Sequence, residues 1–169
     1  GGNGLNPLLD ANGKPLFINA DGPVQTQKGG ITQVSIKQTA DKAILNWETF
    51  NIGRDTQLTF QQNADWALLN RVGNSVAPSQ IQGAIKADGT VLIVNRNGIV
   101  FSGSSQINVR NLTAAAATIS DQQFTERGLY VDSLGSQPTF TDAAGKVMVE
   151  RGALIQTHAP ASSTQGGGY

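Results

Sequence analysis

Residues 91–109 read VLIVNRNGIVFSGSSQINV. Alternation puts Val91 and Ile93 on one face, then Ile99 and Phe101, then Ile107 and Val109, so two or three short strands stand in this one stretch. The Asn-rich break inside it is only two or three residues long. A βαβ crossover takes at least about 10–12 residues, so no helix fits between these strands.

The same texture runs outward. Toward the amino end, Asp88-Gly89 turns the chain into this stretch, and residues 80–85 are short and apolar at alternate positions. ALLNRV (67–72) reads as a strand or a buried turn. KAILNWETFNIGRDTQLTFQQ (42–62) supplies a strand AILNW, a corner Asn51-Ile52-Gly53 and a strand over 57–60, and ITQVSIK (31–37) is a further strand. Residues 1–30 are punctuated by Asn12-Gly13, Asp21-Gly22-Pro23 and Gly29-Gly30, which predicts a few short strands around pieces such as Leu16-Phe17-Ile18. Toward the carboxyl end, Ala114 to Ala117 are flanked by Thr113, Thr118 and Ile119, and the segment reads as strand or tight coil. Residues 120–142, with an isolated GLYV (128–131), read as a loop or hairpin excursion. GKVMVERGALIQT (145–157) resumes the pattern, with Val147-Met148-Val149 and Ala153-Leu154-Ile155 on either side of a corner at Arg151-Gly152. Residues 158–169 form a Gly/Ser-rich end, flexible or the start of a further coil.

Two architectures fit. Asn97-Gly98 between alternating strands is a hairpin signal and favours a β-sandwich or barrel. Very short strands, short corners and the likeness of GTVLIVNRNGIVFSG to GKVMVERGALIQT favour a parallel β-helix. Their leading Gly89 and Gly145 are 56 residues apart (145 − 89), room for two coils and an excursion.

Composition narrows the function. Charged residues are 14% of the chain, below the usual share of about 25%. Thirteen Asn and fifteen Gln take their place beside 20 Gly. Amides suit stacked β layers, where like residues hydrogen-bond in ladders without charge repulsion. Twelve basic and twelve acidic residues balance, so no basic field attracts nucleic acid or anionic lipid. With no Cys there is no disulfide framework, thiol catalysis or Cys-held metal, and with one His no metal centre or other cofactor site is expected. His158 has no Ser/Asp constellation around it. The acids Asp10, Asp21, Asp88, Asp121 and Asp142 sit at turn signals, and Arg54-Asp55 reads as a solvated corner, so no catalytic residues are expected. No apolar run reaches the roughly 18 residues of a membrane span, and no signal peptide is visible.

Several segments, in order, carry a resemblance. They are Leu45-Asn46-Trp47-Glu48-Thr49-Phe50-Asn51-Ile52-Gly53, then Thr59-Phe60-Gln61-Gln62, Leu69-Asn70-Arg71-Val72, Pro78-Ser79-Gln80-Ile81-Gln82-Gly83, Asp88-Gly89, and residues 92–101. From about Gly30 to the end the chain resembles the amino-terminal secretion domain of two-partner secretion exoproteins, the filamentous haemagglutinin or haemagglutination activity domain. The family's Asn-Pro-Asn-Gly-Ile motif stands here as Asn95-Arg96-Asn97-Gly98-Ile99, with Arg96 in place of Pro. That removes a fixed φ at this corner. The Asn-Pro-Asn-Leu motif of one subgroup is not found, so the chain is more similar to the large adhesins that lack it.

The resemblance implies an all-β fold: a right-handed parallel β-helix with an amino-terminal cap and extra-helical strands. It implies a single secretion domain over 1–169, with a cap region at 1–30, coils over 31–157 and an excursion near 120–142. It also implies a monomer exported through the periplasm and outer membrane to the cell surface. Its partner is then an outer-membrane β-barrel transporter whose periplasmic POTRA domains recognise it. The alternative is a module that itself binds host glycan. Asn95, Arg96, Asn97, Gly98, Ile99, Asn70 and Arg71 are candidates for transporter recognition. The competing role for the Asn and Gly residues is turn shape, since Asn and Gly tolerate left-handed φ and Asn caps turn backbone. Trp47, Phe50, Phe60, Ile93 and Phe101 are expected in the core, where large apolar side chains supply most area.

Overall fold

The computed structural model describes residues 4–73, 76–122, 124–125 and 145–157. Fifteen strands lie among them. The chain winds through three parallel sheets in turn, which makes a parallel β-helix. The first sheet holds β5 (Lys42–Phe50), β7 (Ala67–Val72), β10 (Thr90–Asn95) and β13 (Asn111–Ala115). The second holds β8 (Ser79–Ile81), β11 (Ile99–Phe101) and β14 (Val147–Val149), and Ile52 extends it by a bridge to Ile81. The third holds β4 (Ile31–Gln38), β6 (Thr56–Gln61), β9 (Ala84–Ala87), β12 (Gln106–Val109) and β15 (Leu154–Thr157).

Register explains why alternation was the informative signal. Each inward residue stacks on an inward residue one coil away. Ala43, Leu68, Val91 and Leu112 form one such column, and Val34, Leu58, Ile85, Ile107 and Ile155 form another. Side chains alternate across a strand, so a one-residue slip would turn a whole column out to solvent. Trp47, Phe50, Phe60, Ile93 and Phe101 are all buried in this interior. The run VLIV in β10 is apolar on both faces for a separate reason. Leu92 and Val94 point out of the coil and join Ile44, Leu69, Ile119 and Phe124 in a second apolar cluster.

The amino end is closed by antiparallel strands. β1 (Leu5–Pro7) and β2 (Phe17–Ile18) pair with β5, and β3 (Ala20–Lys28) pairs with β4. Phe17 and Phe50 pack against Trp47 with ring centroids 5.2 and 5.4 Å away, which plugs the coil interior. Amides stack at one corner as their abundance predicts. Gln62 Nε2 donates to Gln38 Oε1 (2.8 Å), Gln38 Nε2 donates to the Ala40 and Ala67 carbonyls, and Gln62 Oε1 accepts the Gly89 N–H.

Four sequence expectations change. Asn97-Gly98 makes a corner between parallel strands, not a hairpin, because Ile99 pairs with the coils before and after it. Residues 80–85 span two strands and a corner at Gln82-Gly83, so one segment serves two sheets. Asn70 and Arg71 lie within β7, not in a turn. The repeat is offset: Val147 pairs with Ile99, 48 residues on (147 − 99), where the previous coil spaces Ser79 and Ile99 by 20 (99 − 79). One coil plus an excursion therefore separates them, because strands align by inward face and not by leading Gly. Segment 67–72 is a strand, and so is 111–115 through Ala114-Ala115. Most of the excursion and all of 158–169 lie outside the described residues.

Candidate functional site

The Asn95–Ile99 motif sits where the first sheet passes into the second. Asn95 ends β10 with its side chain inward, and it is 1% exposed. Its Nδ2 donates to the Ala77 carbonyl (3.1 Å) and to Ser79 Oγ (3.1 Å) on the coil before. Its Oδ1 accepts the Asn97 backbone N–H (3.0 Å), and the Gly98 N–H closes the turn on the Asn95 carbonyl (2.9 Å). Arg96 is exposed and occupies the second position of that turn, where Pro is favoured but not required. Gly98 has φ 114°, which a side chain would strain. The following coil lies against the same corner. Gly145 N–H donates to the Arg96 carbonyl (2.8 Å), and Ile99 N–H donates to the Lys146 carbonyl (3.1 Å). A Cβ on Gly145 would lie 2.2 Å from the Asn97 backbone, so only Gly fits. The motif thus touches three successive coils.

Asn70 and Arg71 point to opposite sides of β7. Asn70 is fully buried among apolar side chains. Its Oδ1 accepts the Trp47 indole N–H (3.0 Å) and its Nδ2 donates to the Leu92 carbonyl (3.2 Å). That satisfies the buried indole N–H. Arg71 faces outward and ties three segments together. Its Nε and one terminal nitrogen donate to Asn46 Oδ1 (3.0 and 2.7 Å), and the other donates to the Ile119 carbonyl (3.0 Å). It also pairs with Asp121 at 2.5 Å. Asn46 in turn donates to the Leu16 carbonyl (2.9 Å). Nothing in the sequence marks this junction, because Asn46, Arg71 and Asp121 come together only through the coil spacing.

Among the described residues no cluster of His, Asp or Glu is placed to hold a metal. A shallow cleft of about 220 Å³ over the third sheet is lined by Arg54, Asp55, Gln57 and Gln106, with a single carboxylate. Paired-carboxylate chemistry needs two. The amino end is capped by β1, β2 and β3. Val147, Val149 and Ile155 of the last described coil are 39, 57 and 37% exposed.

A family model for the TPS secretion domain matches residues 14–168. The chain belongs to this family. The match begins well before Gly30, so the family pattern includes part of the cap. The crystal structure of the HMW1 secretion domain from Haemophilus influenzae is similar, with a TM-score of 0.61 and 28% identity over 82% of this chain and 36% of that one. A heme/hemopexin-binding protein of Haemophilus influenzae is 35% identical over 116 residues, which are 63% of this chain and 12% of the relative. Its counterpart in the Rd strain is 32% identical over 97 residues, 57% of this chain and 10% of the relative. The chain spans about a tenth of the length of these curated relatives. Family members are the secretion domains of two-partner secretion exoproteins and are exported across the outer membrane; the family is not one of enzymes.

Proposed function

We propose that this chain is the export module and folding seed of a longer surface exoprotein. The POTRA domains of a cognate outer-membrane β-barrel transporter bind it in the periplasm. Outside the cell its coils fold first and template the coils that follow. The family match carries this proposal, and the fold supports it. A solenoid grows by nearest-neighbour stacking, an exposed strand edge invites pairing, and the antiparallel strands β1, β2 and β3 cover the amino-terminal edge here. The relatives support it too. The HMW1 structure that this chain resembles is itself a secretion domain. The Asn95–Ile99 motif then acts as a corner that joins three coils, and its loss impairs export through folding.

The test uses the purified domain and the soluble POTRA region of the transporter encoded beside its gene, in buffer and in mild urea. Saturable binding, stronger in mild urea, is expected. Absence of binding in every condition, together with transporter-independent release of a reporter fused behind the domain, would overturn the proposal.

A further inference from the structure

Strand pairing in this chain is long-range, with one exception. β3 and β4 form a hairpin whose paired residues are 3 apart at Lys28 and Ile31 (31 − 28) and 18 apart at Ala20 and Gln38 (38 − 20). Every other pair of strands among the described residues joins positions at least 20 apart, as Ser79 and Ile99 are (99 − 79). The hairpin turn is Gly29-Gly30, with φ 58° and 81°. Positive φ at both central residues gives the tight turn whose twist matches that of the strands it joins. β4 is also the first described strand to take a parallel partner. Its edge carries β6, with Val34 beside Leu58 and Ile36 beside Phe60. All four are buried in the interior. The bridge between Leu9 and Pro15 is local too, but no parallel strand builds on it.

We propose that the 20–38 hairpin is the nucleus from which the coils wind, and that its closure sets how long the chain stays unfolded enough for the transporter to hold. The second clause rests on the function proposed above and deepens it. The physical reason is loop closure. Joining two parallel strands across a long loop costs chain entropy before any contact is gained. A β-hairpin forms in roughly 1–10 μs. Once closed, it offers β6 a fixed edge and two inward apolar side chains, so the first coil docks on a template already in place. Each later coil then docks on the one before it. A pair of strands alone is marginal in water. The hairpin therefore opens and closes freely until β6 docks, and that docking commits the chain to fold.

Gly29 and Gly30 allow a clean test, because a Cβ at either meets nothing within 4 Å. Gly29→Ala with Gly30→Ala therefore strains the turn and crowds no neighbour. Refolding of the whole chain from urea should slow about tenfold with the unfolding rate nearly unchanged, since an interaction already formed at the barrier is lost from the folding limb. Gly29→Asn leaves Asn-Gly, which suits the same turn, and should refold within about twofold of the parent. Gly145→Ala, in the last described coil, should instead speed unfolding and leave refolding as it was. If the double variant refolds at the parental rate and unfolds faster, the hairpin closes after the barrier and the inference is overturned. Pulse-labelled hydrogen exchange on the parent decides the matter even if the double variant does not fold. Amides of β3, β4 and β6 should gain protection before those of β10 and β13, and the reverse order overturns the nucleus. The soluble POTRA region, added during refolding, should capture the double variant for about tenfold longer than the parent. Capture for equal times overturns the timing role. If refolding slows as expected but the POTRA region captures neither form, the recognition function falls and the nucleus stands.

Discussion

Replacing Asn95 by Ala separates a corner from a recognition motif. The change removes three bonds of 3.0–3.1 Å at a buried site, those to the Ala77 carbonyl, to Ser79 Oγ and from the Asn97 N–H, and a longer one from Asn97 Nδ2 (3.4 Å). At about 1 kcal/mol net for each of the three shorter bonds, the expected loss is about 3 kcal/mol. With a urea slope of about 2 kcal/mol/M, the unfolding midpoint falls by about 1.5 M. Asn95→Asp is more telling. It keeps the acceptor for Asn97 but aims a carboxylate at the Ala77 carbonyl. Burial and that repulsion raise the folded-state pKa of the new group above its unfolded value of about 3.9. The folded state then binds a proton more readily than the unfolded state does. The destabilisation is therefore full at neutral pH and shrinks as pH falls through the raised folded value. Urea titrations of both variants at pH 7 and pH 4.5, beside a secretion assay, check this. A midpoint shift under about 0.3 M for Asn95→Ala, with secretion nonetheless abolished, would refute the corner role and make the motif a contact for the transporter.

Asn70→Ala leaves the Trp47 indole N–H buried without an acceptor and should cost about 2–4 kcal/mol in chemical denaturation, partly relieved in a Trp47→Phe background. Gly145→Ala drives a methyl into the Asn97 backbone; a loss of about 1–3 kcal/mol is expected, with faster hydrogen exchange confined to β14 and β15. Gln62→Ala breaks the amide ladder between three coils and should lower stability by about 1–2 kcal/mol, non-additively with Gln38→Ala. Asp10 accepts the Lys14 and Asn12 backbone N–H groups, which hold its carboxyl below 3.8. Its contribution to the 10–14 turn is present above that value and disappears as pH falls through the depressed pKa, which an NMR titration of the Lys14 amide would follow.

The alternation of Val91, Ile93, Ile99, Phe101, Ile107 and Val109 determined by itself that strands are short and interior-facing, because a two-residue period is local. Abundant Asn and Gly likewise marked the corners, since turn chemistry acts over two to four residues. The order of motifs from Leu45 to Phe101 was enough to point to the family. Which strands stack on which was not legible there. Asn97-Gly98 carries the same turn chemistry in a hairpin and in a solenoid corner, and only the partner strands tell them apart. Gly145 had to meet Asn97, not the residue its repeat suggested, because columns align by inward side chain. The outward pair Asn46 and Arg71 and the distant Asp121 met for a related reason. Coil lengths of 25 residues between Ala43 and Leu68 (68 − 43) and 23 between Leu68 and Val91 (91 − 68) vary with the corners. Only the folded sheet brings residues 46, 71 and 121 to one point.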